Sequence, residues 1–417
     1  MTPEGAKRLH PLHILHAVPA YYPFKDKGGP VVKVRALARG LVQRGHKVTV
    51  LTVDLGLDKQ PSVQAEPCGW GHRLELDGVE VIYLATLASY RAFTINPRVV
   101  QFCKNSLQRC DVVHFYGLYD LLGPAVSLFC RRGRIPYVIE PMGMYRPIDR
   151  SLRLKRVWHC TLGKTFWRNA TRIVATSEIE KQDLVEGGVP PQRIVVRYNG
   201  IDGGLYSDPP PRGTFREKWR LSPEEPLVLF LSRLIPRKGA DILIEAFAEV
   251  CAAGRLVVAG PEGMPGYLAY LKECARQAGV ETRVLFAGPL YDEDKKAALA
   301  DADIFVLPSR YENFANAAAE AIAYGVPAIV GEACGIRSLI EGHAGLIVAP
   351  TKQEVAGALR RLMEDRALYA RLQHGCHQAA AQLDWDMLTE QMEGHYRLAV
   401  AQRPDVQASR KPNRGSH

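Results

Sequence analysis

The sequence predicts an α/β fold of two doubly wound domains, each built on a parallel sheet. Short apolar runs alternate with amphipathic helical stretches along the chain, a pattern typical of parallel sheets covered by helices. A segment rich in Gly and Pro, 199–213, interrupts this alternation and indicates a domain boundary. A chain of 417 residues is also long enough for each domain to bury a core.

The predicted strands are short apolar runs, six in each half of the chain. Because the runs are continuously apolar, we expect both faces of each strand to be buried. They divide the chain into an N-terminal domain over 1–205, a C-terminal domain over 206–384, a helix over 385–402 and a disordered tail over 403–417. The runs cover residues 12–18, 47–53, 79–85, 111–117, 136–141, 171–177, 226–233, 255–260, 283–288, 303–309, 326–332 and 345–350.

Composition and charge narrow the class of protein. With 47% apolar and 24% charged residues, the chain is typical of globular proteins, and its apolar runs are too short for an integral membrane protein. Residues 1–205 carry 29 Lys and Arg against 17 Asp and Glu, a net charge of +12, whereas 206–417 carry 25 against 27, a net charge of −2. This excess in the first half predicts anionic partners such as nucleic acid, anionic lipid or phosphorylated substrates.

Two loops that follow predicted strands carry residues suited to phosphate. Gly28 and Gly29 precede a helix, where backbone N–H groups and the helix dipole can bind an anion, although a simple turn explains the glycines better on their own. Arg233 and Lys238 share the loop after the seventh strand, and two cations there suit a diphosphate. A solvated basic turn explains this pair equally well.

Two glutamates follow the predicted strand at 303–309. Glu312 lies in the loop and Glu320 about one turn into the next helix, with small residues between them that leave room for a ligand. Glu320 is suited to accept hydrogen bonds from ribose hydroxyls, and Glu312 to hold a sugar hydroxyl or a developing positive charge. Acidic residues near a helix N-terminus also stabilise the helix itself, which explains both glutamates without a ligand.

In combination, these motifs resemble glycosyltransferase family 4, whose members are retaining, nucleotide-sugar-dependent enzymes with the GT-B fold. The resemblance rests on the Arg–Lys pair, the two glutamates with seven residues between them and the later sequence AYGVPAIV, and the glycine pair matches the family's N-terminal glycine loop. In two places the chain differs: residues 312–315 read Glu-Asn-Phe-Ala where the family often has Glu-Gly-Phe-Gly, and the Gly-Gly-x-x-Glu pattern is only partly kept in ACGIRSLIEG.

The resemblance implies two Rossmann-like domains that face each other across a cleft, the first binding the acceptor and the second the nucleotide sugar. Arg233 and Lys238 would neutralise the leaving diphosphate without a metal ion, Gly28 and Gly29 would close on the phosphates, and Glu320 would hold the ribose. The expected donor is a sugar linked to UDP or GDP, with no cofactor and no metal ion.

The resemblance also assigns the catalytic residues and further contacts to the donor. Glu312 and His114, which lies in the sequence DVVHFYG, would position the transferred sugar. Phe314, Ala315 and Asn316 would contact the donor. Neither catalytic residue is assigned as a general base, because retention in this family is described as front-side attack in which the donor phosphate accepts the proton of the acceptor.

The triplet Asp301-Ala302-Asp303 has the D-x-D spelling that binds metal in the other large glycosyltransferase fold. It stands directly before the predicted strand at 303–309, so we expect a structural role for both aspartates.

The segment 146–172 predicts a contact with a membrane surface. It holds eight basic residues and one acid, interleaved with Leu, Val, Trp and Phe, as in helices that lie on anionic bilayers. A core-packed helix with a solvated basic face is the alternative, and by itself a slightly better one.

The expected function is therefore transfer of a sugar to a glycan or polyprenyl-linked acceptor in polysaccharide or lipopolysaccharide biosynthesis. The expected location is the cytoplasm, at the inner face of the cytoplasmic membrane, without a specific nucleic-acid partner. Transfer to a small soluble acceptor is the enzymatic alternative, and a catalytically inactive regulatory or basic binding protein is the non-enzymatic one.

Overall fold

The computed structural model describes residues 10–24, 29–59, 64–90, 93–146, 152–201, 203–206, 208–250 and 253–403. The chain forms two compact units. Unit 1 lies within Met1–Thr176, Glu180–Arg197 and Leu388–His417, and unit 2 comprises Ser177–Ile179 and Tyr198–Met387. The units thus divide after Arg197, whereas the sequence predicts the boundary at 205. The tail predicted over 403–417 lies, from residue 404 onward, outside the described residues, as does Gly28.

The first part of the chain contains the elements β1 (His13–Ala17), α1 (Gly29–Gln43), β2 (Lys47–Val53), β3 (Glu66–Cys68), β4 (Gly71–Leu76), β5 (Val79–Leu84), β6 (Ala88–Tyr90), β7 (Phe93–Ile95), α2 (Val99–Asn105), β8 (Val112–Tyr116), α3 (Leu122–Arg132), β9 (Tyr137–Glu140), α4 (Leu152–Cys160), α5 (Leu162–Arg168), β10 (Arg172–Ala175), α6 (Glu178–Glu186) and β11 (Ile194–Val196).

The second part contains α7 (Gly203–Tyr206), α8 (Thr214–Trp219), β12 (Leu227–Leu231), α9 (Ala240–Val250), β13 (Arg255–Ala259), α10 (Tyr267–Gln277), β14 (Val284–Gly288), α11 (Asp292–Asp301), β15 (Ile304–Leu307), α12 (Asn316–Ala323), β16 (Ala328–Gly331), α13 (Arg337–Ile340), β17 (Gly345–Val348), α14 (Lys352–Glu364), α15 (Arg366–Ala381) and α16 (Trp385–Ala401). The last helix, α16, begins in unit 2 and continues in unit 1 from Leu388.

The main sheet of unit 1 has the strand order β11-β10-β9-β8-β1-β2-β5-β4-β3. Its pairs are parallel except at one edge, where β4 is antiparallel to both β3 and β5. The chain runs outward from β1 through β2 to β5 and later resumes on the other side of β1 with β8. The sheet therefore changes direction between β1 and β8, and ligands of doubly wound sheets bind at the carboxyl ends of such a strand pair.

The sheet of unit 2 is parallel throughout, with the order β14-β13-β12-β15-β16-β17. Its switch of direction lies between β12 and β15. The strands on either side of the switch are apolar along their length and fully buried, because helices pack on the sheet and leave no face in water. The predicted α/β class, with two doubly wound parallel sheets, is confirmed.

Every predicted strand has a counterpart in the structure, but the sequence did not indicate several further strands. These are the short strands β3, β6, β7 and β11 and the strand β4. They are three to six residues long and mostly half-buried or exposed, so they lack the continuous apolar run from which the other strands were predicted. Within the described ranges, the helices are too short or too polar to span a bilayer.

Candidate active site

The candidate residues of unit 2 gather at the carboxyl edge of its sheet, around the switch between β12 and β15. Arg233 follows β12, Lys238 ends a short 3-10 helix after the same strand, and Glu312 follows β15. The helix α12 begins shortly after Glu312. The fold thus brings together side chains that are far apart in the sequence, at the edge where such sheets bind ligands.

Two glycines allow the loops at this edge to lie in close contact. Gly260, after β13, has a φ of 142°, and a Cβ there would lie 1.8 Å from the carbonyl oxygen of Ser232. Gly239 has a φ of 74°, and its Cβ would lie 2.4 Å from the carbonyl oxygen of Pro308. Because neither position can carry a side chain in this backbone, the glycines hold the loops after β12, β13 and β15 together.

Lys238 and Glu312 form an ion pair within this edge. The ammonium group of Lys238 contacts the Glu312 carboxylate, and the Lys238 side chain is buried. The backbone of Glu312 is held as well, since its N–H donates to the carbonyl of Ala333 at 3.0 Å and its carbonyl accepts from the N–H of Gly335 at 2.9 Å. The pair therefore has a fixed position between the loops that follow β12, β15 and β16.

Arg233 differs from Lys238 in being exposed. Its guanidinium forms no ion pair with any residue that the structure describes, whereas its backbone position is set by the hydrogen bond from Leu234 N–H to the carbonyl of Pro261, at 2.9 Å. An arginine side chain in this position has its donors available for an anion, and a guanidinium can donate two parallel hydrogen bonds to a phosphate.

The start of α12 is strained in a way that points to a backbone role. Ala315, the residue before the helix, has φ 78° and ψ 64°, a left-handed conformation that costs a residue other than glycine about 1–2 kcal/mol. The first N–H groups of a helix lack partners within it and attract anions. Strain of this kind is typical of functional sites.

The side chains next to Ala315 make internal contacts within unit 2. Phe314 is buried and stacks on Tyr198 with ring centroids 5.8 Å apart. Asn316 accepts a hydrogen bond of 2.8 Å from the side-chain amide of Asn199. Of these three neighbouring residues, Asn316 has an exposed side chain, whereas Phe314 and Ala315 are buried and can offer a ligand chiefly their backbone.

Glu320 lies on α12 with its carboxylate 2.9 Å from the ammonium group of Lys295 on α11. Both side chains are about one-fifth exposed, so the pair is half-buried. The sequence analysis did not identify Lys295, which is one of two adjacent lysines on a polar helix and has no local feature that distinguishes it.

The two aspartates of the D-x-D triplet serve the fold. Asp301 is fully buried and accepts the backbone N–H of Arg216 at 2.9 Å. Asp303 accepts the backbone N–H of Leu227 at 2.8 Å and pairs with the Arg216 guanidinium at 3.0 Å. Their carboxylates thus secure α8 and the first strand of unit 2, in agreement with the structural role that was predicted.

In unit 1, His114 lies inside the protein. Its ring is fully buried on β8, and Nδ1 is 2.6 Å from the hydroxyl of Tyr396 on α16 and 3.0 Å from that of Tyr116. Burial, with the nearby His16, Arg197 and Lys33, lowers the pKa of His114 well below its usual value, so the ring is neutral. A side chain so enclosed cannot touch a sugar in this conformation; its contacts connect α16 to the sheet.

Beside His114 lies a buried cluster of three charges that the sequence analysis missed. Glu140, at the end of β9, is fully buried and contacts Lys33 on α1 and, at 2.6 Å, the guanidinium of Arg197. Burial opposes ionisation of Glu140, but the charges of Arg197 and Lys33 outweigh it and lower the pKa of the carboxyl. The available signal was a charged residue at the end of an apolar strand, as in Tyr-Val-Ile-Glu at 137–140.

Comparisons with known proteins agree with this architecture. Of two family profiles that match, one for a glycosyl transferase 4-like domain covers residues 28–200 and one for glycosyl transferases group 1 covers residues 211–380. The chain is 32% identical to a D-inositol 3-phosphate glycosyltransferase of a Nocardioides species, over 93% of this chain and 89% of that protein. It is 27% identical to mannosylfructose-phosphate synthase of Agrobacterium fabrum, over 91% and 89%.

Among solved structures, Anabaena HepE in complex with UDP and glucose matches with a TM-score of 0.73 and 20% identity, over 93% of this chain and 100% of that one. Two parallel α/β units of this kind make up the GT-B fold. The family profiles together with the 32% identical relative establish the assignment. The chain is a glycosyltransferase of GT-B fold and belongs to glycosyltransferase family 4.

Proposed function

We propose that the protein transfers a sugar from a nucleoside-diphosphate sugar to a glycan or lipid-linked acceptor with retention of the anomeric configuration. The observation that carries this proposal is the convergence of Arg233, Lys238 and the start of α12 at the switch point of unit 2. Two cations and a helix N-terminus are suited to a diphosphate, because all three stabilise negative charge on a leaving group. The nucleotide complex of the HepE structure is consistent with such a donor.

In this proposal the cations act where a metal ion acts in other transferases. As the bond between the anomeric carbon and the phosphate oxygen breaks, Arg233 and Lys238 stabilise the charge that develops on the diphosphate. The acceptor oxygen bonds to the anomeric carbon from the same face, and its proton passes to the departing phosphate oxygen. Glu312, held by Lys238, positions a hydroxyl of the transferred sugar.

Glu320 accepts hydrogen bonds from the ribose hydroxyls, and Lys295 holds the Glu320 carboxylate in place. The contact of 2.9 Å between the two side chains fixes the carboxylate on one side and leaves its second oxygen for a ligand. His114 is not included among the residues that contact the sugar, because its ring has no exposed surface.

A thermal-shift panel tests the donor site. We expect either UDP or GDP to raise the melting temperature in proportion to the logarithm of its concentration, equally in EDTA and in magnesium, because the cations replace the metal. CMP, which lacks the second phosphate, is the control ligand. If none of UDP, GDP and ADP shifts the melting temperature, the proposed donor site is wrong. If the shift requires magnesium, the proposal that the diphosphate is bound without a metal ion is wrong.

The acceptor is a glycan or a polyprenyl-linked oligosaccharide, and transfer takes place at the cytoplasmic face of a membrane. This part of the proposal is supported by a surface on α4 and α5, which we call the basic–apolar surface. Leu154, Val157 and Leu162 are 67%, 59% and 55% exposed there, and Arg153 and Arg156 are exposed beside them. A helix packed into the core would bury these apolar side chains, whereas a bilayer accepts them and its phosphates pair with the arginines.

We expect the double substitution Leu154→Glu and Val157→Glu to reduce binding to phosphatidylglycerol vesicles by about tenfold or more, because it removes two inserting side chains and adds negative charge. Co-sedimentation measures the bound fraction. Leu398→Glu is the matched control, since Leu398 is an exposed leucine of α16 and lies outside the surface. If neither salt nor the double substitution changes the binding to vesicles, the proposal is contradicted and a small soluble acceptor is favoured.

A further inference from the structure

A cavity of about 550 Å³ lies at the carboxyl edge of the sheet of unit 1, beside the strands β2 and β5. Its volume falls within the roughly 300–1,000 Å³ of small-molecule sites. Asp54 follows β2 and Thr86 follows β5, and these strands are paired in parallel with Val53 opposite Leu84. The cavity thus lies at the carboxyl ends of two parallel strands, on the β2 side of the switch between β1 and β8.

The polar groups of the cavity are held in fixed positions. The carboxylate of Asp54 accepts the backbone N–H of Thr86 through Oδ1 at 2.9 Å, and its backbone N–H donates to the carbonyl of Leu84 at 3.1 Å. The hydroxyl of Thr86 accepts a hydrogen bond of 3.0 Å from the side chain of Asn96, which is itself buried. Groups that are oriented before binding lose little entropy when a ligand arrives.

Several hydrogen-bonding groups of the cavity remain available. Within the described part of the chain, the second carboxylate oxygen of Asp54 has no partner, and neither does Nδ1 of His72, although this atom is buried. Asp58 and Ser89 line the same cavity and are exposed.

We propose that this cavity binds the neutral, polyhydroxylated end of the acceptor, a sugar ring without phosphate. Hydroxyl groups can donate to the carboxylates and bond to Ser89, and apolar side chains such as Leu55 and Leu87, which also line the cavity, suit the C–H face of a ring. The inference rests on the proposed function and specifies its acceptor.

The charges of the cavity distinguish a sugar from a sugar phosphate. Both ionisable carboxyl groups, Asp54 and Asp58, face the cavity, and none of the lining residues that the structure describes is Lys or Arg. Two carboxylates repel a phosphate and leave its charge without a partner. The acceptor bound here is therefore of a different class from inositol 3-phosphate and mannosylfructose phosphate, the phosphorylated compounds after which the two relatives are named.

Saturation-transfer NMR on the full chain tests this assignment. The protein is measured with an excess of UDP or GDP, whichever raises its melting temperature. Glucose, mannose and galactose are compared with their 6-phosphates. We expect at least one neutral sugar to bind and its 6-phosphate to bind about tenfold more weakly or not at all. The substitution Asp54→Asn should lower the affinity for the neutral sugar about tenfold. The asparagine keeps the oxygen that accepts Thr86 N–H, so the loop is preserved. Glu75→Gln, on β4 and outside the cavity, is the matched control.

Two results overturn the inference: no neutral sugar binds, or a sugar phosphate binds more tightly than its parent sugar. Equal binding to the wild type and the Asp54→Asn variant overturns it too, because the sugar then lies elsewhere. The thermal shift with nucleotide serves as an independent readout, since Asp54 does not belong to unit 2. If a nucleotide raises the melting temperature but no sugar binds, only the assignment of the cavity is refuted. If a sugar binds but no nucleotide raises the melting temperature, only the donor proposal is refuted.

Discussion

We expect Arg233→Ala and Lys238→Ala each to lower the rate of sugar transfer by about 10²–10³-fold, the cost typical of removing one preorganised group that stabilises charge in a transition state. Each change should also reduce the thermal shift produced by the nucleoside diphosphate. Arg233→Lys keeps the charge but loses the paired donors of the guanidinium, so we expect it to recover only part of the activity.

Transfer rates with a saturating donor, together with donor KM, measure this effect. Lys272→Ala is the control, because Lys272 is an exposed lysine of α10 away from the switch point. Since Lys238 also neutralises Glu312, its substitution could act through folding; a melting temperature that stays within a few degrees of the wild type excludes this. Variants that keep full activity and the full nucleotide shift would falsify the assignment of these cations to the diphosphate.

We expect Glu140→Gln to lower the free energy of unfolding by about 3–5 kcal/mol, the cost typical of leaving buried charges without their partner. Lys33 and Arg197 are both buried against this carboxylate, and the amide that replaces it carries no charge. Urea denaturation of both proteins measures the difference. Glu75→Gln, at an exposed position of β4, should change the stability by no more than about 0.5 kcal/mol.

The contribution of Glu140 to the free energy of unfolding also depends on pH and decreases in acid. Because the pKa of its carboxyl is lower in the folded protein than its ordinary value, the ionised group stabilises the fold above that ordinary value, and the contribution disappears as the pH falls through the folded pKa. The difference between wild type and Glu140→Gln should therefore be largest near neutral pH and shrink in acid. A loss of under about 1 kcal/mol at neutral pH contradicts the role given to this cluster.

The sequence was sufficient to locate candidate residues that follow the buried strands. A charged residue shortly after an apolar strand points to the edge of a parallel sheet where ligands bind. Arg233 and Glu312 do follow the strands on either side of one switch point, and Glu320 lies on the helix after the second of them. The family resemblance added His114, which the structure buries. In a strand that is buried on both faces, the sequence pattern does not tell which side chain reaches the surface.

The sequence by itself thus determined the α/β class, the central strands and the position of the candidate residues in the loops after them, because each depends on neighbouring residues. Only the tertiary structure decided the pairing of Lys295 with Glu320, the enclosure of His114 by Tyr396, and the cavity beside Asp54. These contacts join residues that are far apart along the chain or depend on the strand order. That order results from how the whole sheet packs, and no local pattern of residues specifies it.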